Sequence, residues 1–201
     1  MTLKIGITGP IGCGKSTVAR WLGERAGVSV IDADHEARLV LAPGTAEVEA
    51  VYRRFGQDLR RSNGELDRAA LGRIVFMDPY ALRDLESIVH PAVRPRILAA
   101  VERAEQAGAR AVVIEAIKLV EGGLSDLCDE VWLVTCDPGA QRERLVGRGH
   151  AEDDAAARID AQGDLVERLR ERATRVVDTN GDPATTRRAV DALLDEALTA
   201  R

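Results

Sequence analysis

Two kinds of apolar pattern divide this chain. Short runs rich in β-branched residues occupy Leu3 to Thr8, Val28 to Ile31, Ala111 to Glu115, Val131 to Thr135 and Val176 to Asp178. Such runs read as strands buried on both faces, as in a parallel sheet. Between them apolar residues recur three and four apart, the period of a helix with one buried face. Val18, Trp21, Leu22 and Ala26 form the first such stripe, with Gly27 as its expected C-cap. Val190, Leu193, Leu194, Ala197 and Leu198 form the last. Strands alternating with helices predict an α/β fold around a central five-stranded parallel sheet.

The alternation is interrupted after the second strand. Pro43-Gly44 breaks the chain, and Val48, Val51, Tyr52 and Phe55 form a stripe that ends at Gly56. Asn63-Gly64 reads as a turn. Leu66, Leu71, Ile74, Val75 and Phe76 lead to Asp78-Pro79, and Leu82, Leu85, Ile88 and Val89 lead to His90-Pro91. Ile97, Leu98, Val101 and Ala104 complete a further helix, stopped by Gly108. Residues 35–107 therefore read as a helical insertion in a sheet protein.

Composition narrows the class. The 201 residues suit one domain with an inserted subdomain, and 45% hydrophobic with 30% charged residues is the balance of a soluble globular chain. A net charge of −5 argues against nucleic acid as a general partner. The chain starts almost on a strand, and no apolar run approaches the roughly 20 residues that span a bilayer. No targeting segment or membrane is expected, and the location read from this is cytoplasmic. Cys13, Cys128 and Cys136 are odd in number and lack metal-ligand spacing, so they read as reduced thiols of the cytosol.

The stretch Gly9-Pro10-Ile11-Gly12-Cys13-Gly14-Lys15-Ser16-Thr17 fits G-x-x-x-x-G-K-[ST], the phosphate-binding P-loop. Its glycines allow a tight turn and close backbone approach to a phosphate. Successive N–H groups then form an anion nest, to which the following helix adds its positive end. Lys15 suits the β- and γ-phosphates, and the Ser16 hydroxyl suits Mg²⁺. The strand before the loop and the helix after it supply the context that the motif requires. The other reading, a Gly-rich turn with an incidental lysine, fits poorly with a chain whose only lysines are Lys4, Lys15 and Lys118. Cys13 is either a thiol activated by the helix N-terminus or a small residue that fits the loop.

Other residues stay open on pattern alone. Asp32 and Asp34 follow the second strand, where α/β folds bind ligands, and Asp34 is equally a helix N-cap. His90 is either a core or capping histidine or a substrate ligand. Glu115 closes the third strand and either helps place Mg²⁺ through water or pairs with Lys118. Arg144 and Arg148 are four apart and share a helix face. They act on phosphate from beside a polar lid, or they are solvated and paired with Glu143, Glu152 and Asp153. The polar, acidic segment 149–164, with Gly149 and Gly163 near its ends, suits a mobile lid.

With these pieces in place the chain resembles the dephospho-coenzyme A kinases. The likeness covers nearly the whole length. It includes Ile31-Asp32-Ala33-Asp34, Phe55-Gly56, Asn63-Gly64-Glu65-Leu66-Asp67-Arg68 and Leu71, Phe76 and His90-Pro91. It continues through Gln141-x-x-Arg144-x-x-x-Arg148, Arg158-Ile159-x-Ala161-Gln162 and Asp178-x-Asn180-Gly181. The resemblance implies a P-loop kinase fold of the nucleoside-monophosphate-kinase type. The core would cover about 1–34, 108–148 and 172–201, the helical CoA-binding insertion about 35–107, and the lid about 149–171.

It also implies the reaction: the γ-phosphate of ATP passes to the ribose 3′-hydroxyl of dephospho-coenzyme A, giving coenzyme A and ADP. ATP and Mg²⁺ are the implied cofactors. The resemblance makes Asp34 the base near the 3′-hydroxyl and brings His90 to the acceptor site. Arg144 and Arg148 neutralise phosphate charge. Gly12, Cys13, Gly14, Lys15, Ser16 and Thr17 bind ATP phosphates, and Asn180 and Gly181 lie near its adenine. The chain departs from the family at Ile117-Lys118-Leu119, where the family commonly has Pro-Leu-Leu. Lys118 either contacts a substrate phosphate or balances Glu115 and Glu121. Pro10 and Cys13 replace the commoner Gly and Ser of the loop. The rival readings are another small-molecule or nucleotide kinase of this fold, and a non-catalytic nucleotide switch.

Overall fold

A computed structural model describes residues 1–200. It divides into two compact units, one of Met1–Asp32 with the chain from Val101 onward, the other of Ala33–Ala100.

The first unit is built on five parallel strands in the order β2-β3-β1-β4-β5: β1 (Leu3–Thr8), β2 (Val28–Asp32), β3 (Ala111–Glu115), β4 (Glu130–Thr135) and β5 (Arg175–Asp178). The central strands are covered on both faces, which is why Ile5, Val113 and Trp132 on one face and Val112, Ile114 and Leu133 on the other are all fully buried. Helix α1 (Lys15–Gly23) follows β1 directly. It ends four residues before the glycine expected to cap it. Gly27 (φ 77°) instead turns the chain into β2, and its carbonyl accepts N–H bonds from Arg110 and Ala111. Strand β1 lies between β3 and β4, so chain crossings to either side open a crevice at its carboxyl end.

The second unit holds α2 (Ala33–Val40), α3 (Ala46–Phe55), α4 (Arg68–Met77) and most of α5 (Pro79–Gln106). Thr45 caps α3 by accepting from Val48 N–H, and Asp67 caps α4 by accepting from Ala70 N–H. Its own core gathers Val48, Val51, Tyr52, Leu71 and Val75. The Asn63-Gly64 turn folds back so that Arg60 and Leu66 form an antiparallel bridge. The two stripes read as separate helices around His90-Pro91 are one continuous helix, with Pro91 and Pro95 inside it. A proline forfeits one hydrogen bond and favours a kink, and helix on both sides carries the chain through.

The chain returns to the first unit at the end of α5. After β4 come α6 (Pro138–Val146), α7 (Glu152–Asp160) and α8 (Leu165–Arg170), and after β5 comes α9 (Pro183–Thr199). The polar segment 149–171 is thus mostly two short helices. Among the described residues no helix is long and apolar enough to cross a membrane.

Candidate active site

Strand β1 delivers the chain into the loop from 9 to 17. Gly9 has φ 143°, and a Cβ there would stand 2.1 Å from the Val134 carbonyl oxygen. Only glycine lets the loop leave β1 pressed against β4. Gly14 (φ 92°) makes the left-handed turn into α1. The first turn of α1 carries N–H groups that no intrahelical carbonyl meets, apart from the short bond of Thr17 N–H to Gly14, so it favours an anion. Lys15 is buried and its ammonium donates to the Gly9 and Pro10 carbonyls, at 2.8 and 2.9 Å. These bonds hold the charge across the loop.

Ser16 points elsewhere. Its hydroxyl donates to the Glu115 carboxylate over 2.6 Å. Glu115 ends β3 and Asp32 ends β2, paired in register across the sheet. The donors here are hard oxygens, as Mg²⁺ requires. Among the described residues no group of three or more His, Cys, Asp or Glu side chains forms a metal cage. A sparse donor set of this kind suits an ion held largely by phosphates and water.

Arg144, on α6, donates to both the hydroxyl and the carbonyl of Thr179, at 2.9 and 2.6 Å. The Thr179 hydroxyl in turn donates to the carbonyls of Cys13 and Thr135, at 2.8 and 3.1 Å. One buried threonine therefore ties the arginine, the loop and the end of β4 together. Arg144 and Arg148 line a cavity of about 360 Å³ with Gly14, Thr17, Trp21 and Gly181. The cavity continues past Pro183 and Thr186 at the start of α9. Asn180 is exposed, and its side-chain oxygen accepts from Asp137 N–H, which fixes the loop leading to Gly181.

The structure adds residues that sequence reasoning left without a role. No local signal marks Thr179, whose part depends on four segments meeting. Trp21 was read as a core-facing position of α1, yet it also walls the cavity. Gln162 accepts from the loop's Ile11 N–H and from the buried Gln141, both at 3.1 Å. It lies between α7 and α8, so the polar segment is tied to the loop. Each glutamine lies in a motif of its own, and the spacing of the two motifs does not say that they meet.

The cysteine reading is corrected. Cys13 and Cys136 form a disulfide, with Cα atoms 5.1 Å apart across 123 residues of sequence. The register that pairs Thr8 with Leu133 brings the loop beside the end of β4. A bonded Cys13 is not a thiol that titrates. Its side chain is fully buried in the core, and only its backbone serves the loop. Cys128 is the remaining thiol, and burial, with a smaller contribution from Asp129, pushes it up to about 12.

Lys118 is exposed in the turn after β3, where the Thr8 hydroxyl donates to the Ile117 carbonyl and Leu119 is fully buried. In the second unit, Asp34 is half-buried in the first turn of α2, and His90 is half-buried on α5. Asp34 is therefore a residue of the helix, one position beyond its start.

The sequence profile of the dephospho-CoA kinase family matches residues 3–184. A dephospho-CoA kinase of Symbiobacterium thermophilum is 47% identical over 189 residues, covering 94% of this chain and 78% of its own. One from Geobacillus kaustophilus is 43% identical over 197 residues, covering 98% and 97%. The solved dephospho-CoA kinase of Campylobacter jejuni superposes with a TM-score of 0.72 at 26% identity, covering 100% and 99%.

Proposed function

The chain belongs to the dephospho-CoA kinase family, and on that premise we propose how its residues divide the transfer of a phosphoryl group from ATP. The reaction phosphorylates the ribose 3′-hydroxyl of dephospho-coenzyme A, giving coenzyme A and ADP. The loop from Gly9 to Thr17 is the donor half. Its backbone cradles the phosphates, Lys15 meets the β- and γ-oxygens, and the cavity walled by Trp21, Gly181 and Pro183 takes the adenosine. Ser16, with Glu115 beside it, would hold Mg²⁺, which neutralises phosphate charge when bound.

Asp34 is the acceptor-side base. It orients the 3′-hydroxyl and takes its proton, and His90 contributes to the acceptor site. The transferring group spreads charge over three oxygens, which calls for cations beyond one lysine. Arg144 and Arg148 supply them. Lid movement of about 149–171 closes the site over the phosphates beside Arg144 and Arg148 and excludes water, which would otherwise hydrolyse ATP. Lys118, exposed in the turn after β3, contacts a substrate phosphate. The reaction belongs in the cytoplasm, where ATP is available.

One observation carries this reading: a phosphate nest whose wall is shared with a fixed arginine, through Thr179. A fixed second cation beside the nest suits a phosphoryl group in transfer, whose charge spreads over three oxygens. The test is incubation with ATP, Mg²⁺ and dephospho-coenzyme A, with the product's phosphate located by mass spectrometry and NMR. A phosphate on the ribose 3′-oxygen is expected. Transfer to AMP or shikimate in its place would overturn the assignment.

A further inference from the structure

The motif from Asn63 to Arg68 has no role in the donor site, yet it builds part of a second cavity. That cavity, about 310 Å³, lies wholly within the unit Ala33–Ala100. Three arginines from three segments reach its wall: Arg38 from α2, Arg61 from the turn after the Arg60–Leu66 bridge begins, and Arg68 from the first turn of α4. Glu65 is the acidic residue of the wall, and Leu41 and Leu66 supply apolar surface.

The arginines are held in place. Arg68 donates to the Arg38 carbonyl at 2.9 Å, which ties α4 to α2. Arg61 is oriented by Asp67 at 3.3 Å, and the Asp67 carboxylate also caps α4. Arg61 N–H bonds to the Glu65 carbonyl and closes the turn. Partial burial, followed by the like charge of Arg38, lowers the proton affinity of Arg68. Like charges gathered on a partly dry wall favour an anion beside them, as Glu65 does for Arg68.

We propose that Arg38, Arg61 and Arg68 form the subsite for the 5′-diphosphate of the acceptor, and this rests on the reading of dephospho-coenzyme A as acceptor. Charge supports the choice of ligand. Three guanidinium groups line the wall, with Glu65 on it and Asp67 against Arg61, and guanidinium groups from three segments suit an anion with several oxygens. Guanidinium forks match phosphate oxygens in pairs. Position supports it too. Arg38 stands four residues after Asp34 on α2, so the two share a face about 6 Å apart along the axis. The 3′-hydroxyl and the 5′-diphosphate hang from the same ribose a few bonds apart. A diphosphate on Arg38 therefore leaves the hydroxyl within reach of Asp34.

The test compares steady-state kinetics of wild type, Arg38→Gln and Arg61→Gln, with dephospho-coenzyme A and with adenosine as acceptors. Adenosine has the 3′-hydroxyl and no diphosphate. Each substitution is expected to raise KM for dephospho-coenzyme A about 10- to 100-fold, the loss of a charge-assisted contact. KM for ATP and the slow rate with adenosine should stay within about twofold of wild type. Thermal melting identifies a variant that fails to fold, and Arg61→Lys, which keeps the charge and loses the fork, then replaces Arg61→Gln. An unchanged KM for dephospho-coenzyme A in both variants overturns the subsite while leaving the kinase reading intact. Equal losses with both acceptors overturn it as well, since they mark a structural role. If wild type transfers nothing to dephospho-coenzyme A, the kinase reading fails first. Calorimetric binding of inorganic pyrophosphate then decides the subsite: binding weakened in both variants upholds an anion site, and equal or absent binding overturns it.

Discussion

Arg144 grips Thr179 twice, through its hydroxyl and its carbonyl, while the same hydroxyl bonds the Cys13 carbonyl of the phosphate loop. The arginine is therefore positioned by a residue that also bonds the 9–17 loop. Arg144→Ala is expected to lower kcat about 10²-fold or more, the scale of removing one preorganised donor from a transition-state charge. Arg144→Lys should recover little, because an ammonium lacks the fork. Thr179→Val keeps the shape and the carbonyl bond to Arg144 but removes the hydroxyl's bonds, and should lower kcat while the protein still melts cooperatively. Steady-state kinetics of the three variants check this. Wild-type kcat in Arg144→Ala would make it a surface arginine.

Asp34→Asn should still bind ATP and lose turnover about 10²- to 10⁴-fold, the usual worth of a general base. ATP binding has a convenient reporter. Trp21 walls the cavity beside the phosphate loop, and Trp132 is fully buried in the core. A fluorescence change on adding ATP should survive in Asp34→Asn and disappear in Trp21→Phe. Near-normal turnover in Asp34→Asn removes the base role.

The Ser16–Glu115 pair predicts a metal-dependent defect. Glu115→Gln keeps a hydrogen-bond acceptor for Ser16 and loses the charge. At fixed ATP the variant should need about tenfold more Mg²⁺ for half-maximal rate. Ser16→Ala should do the same. Identical Mg²⁺ titrations for all three proteins would dissociate the pair from the metal.

The cysteines give a count and a pH profile. Denatured without reductant, the protein should present one titratable thiol, and after reduction three. In the folded state the Cys128 thiol is held up at about 12 by burial. Its unfolded value lies near 9.0. The folded state thus keeps a proton that the unfolded state releases. Stability from this group is full below about pH 9 and falls as pH rises from there toward 12, by about 1.4 kcal/mol per unit. Denaturant melts across that range should show the decline, and Cys128→Ser should flatten it.

Gly9→Ala should cost about 3 kcal/mol or more, because its φ of 143° and a Val134 carbonyl 2.1 Å from the added Cβ leave no room for a side chain. Chemical denaturation measures the loss. A neutral result would mean that β1 and β4 separate at low cost.

Much of the fold was legible because its signals are local. A buried parallel strand needs a β-branched run, and all five strands follow such runs within a residue or so. The phosphate loop was legible because glycine, lysine and serine each serve the atoms next to them. Helix ends were less so: Gly27 stands where a cap would, but α1 stops earlier. Pro91 looked like a break, although helix on both sides carries the chain through it and through Pro95.

Sequence by itself determined the sheet, the helical insertion, the loop and, through its spaced motifs, the family. These follow from backbone geometry and side-chain period, which act within a few residues. Only the tertiary structure decided which distant side chains meet. It joined Cys13 to Cys136 across 123 residues, tied Arg144 to the loop through Thr179, and gathered Arg38, Arg61 and Arg68 on one wall. Such meetings depend on strand register and helix packing, which are set by the burial of the whole core. No local pattern along the chain records them.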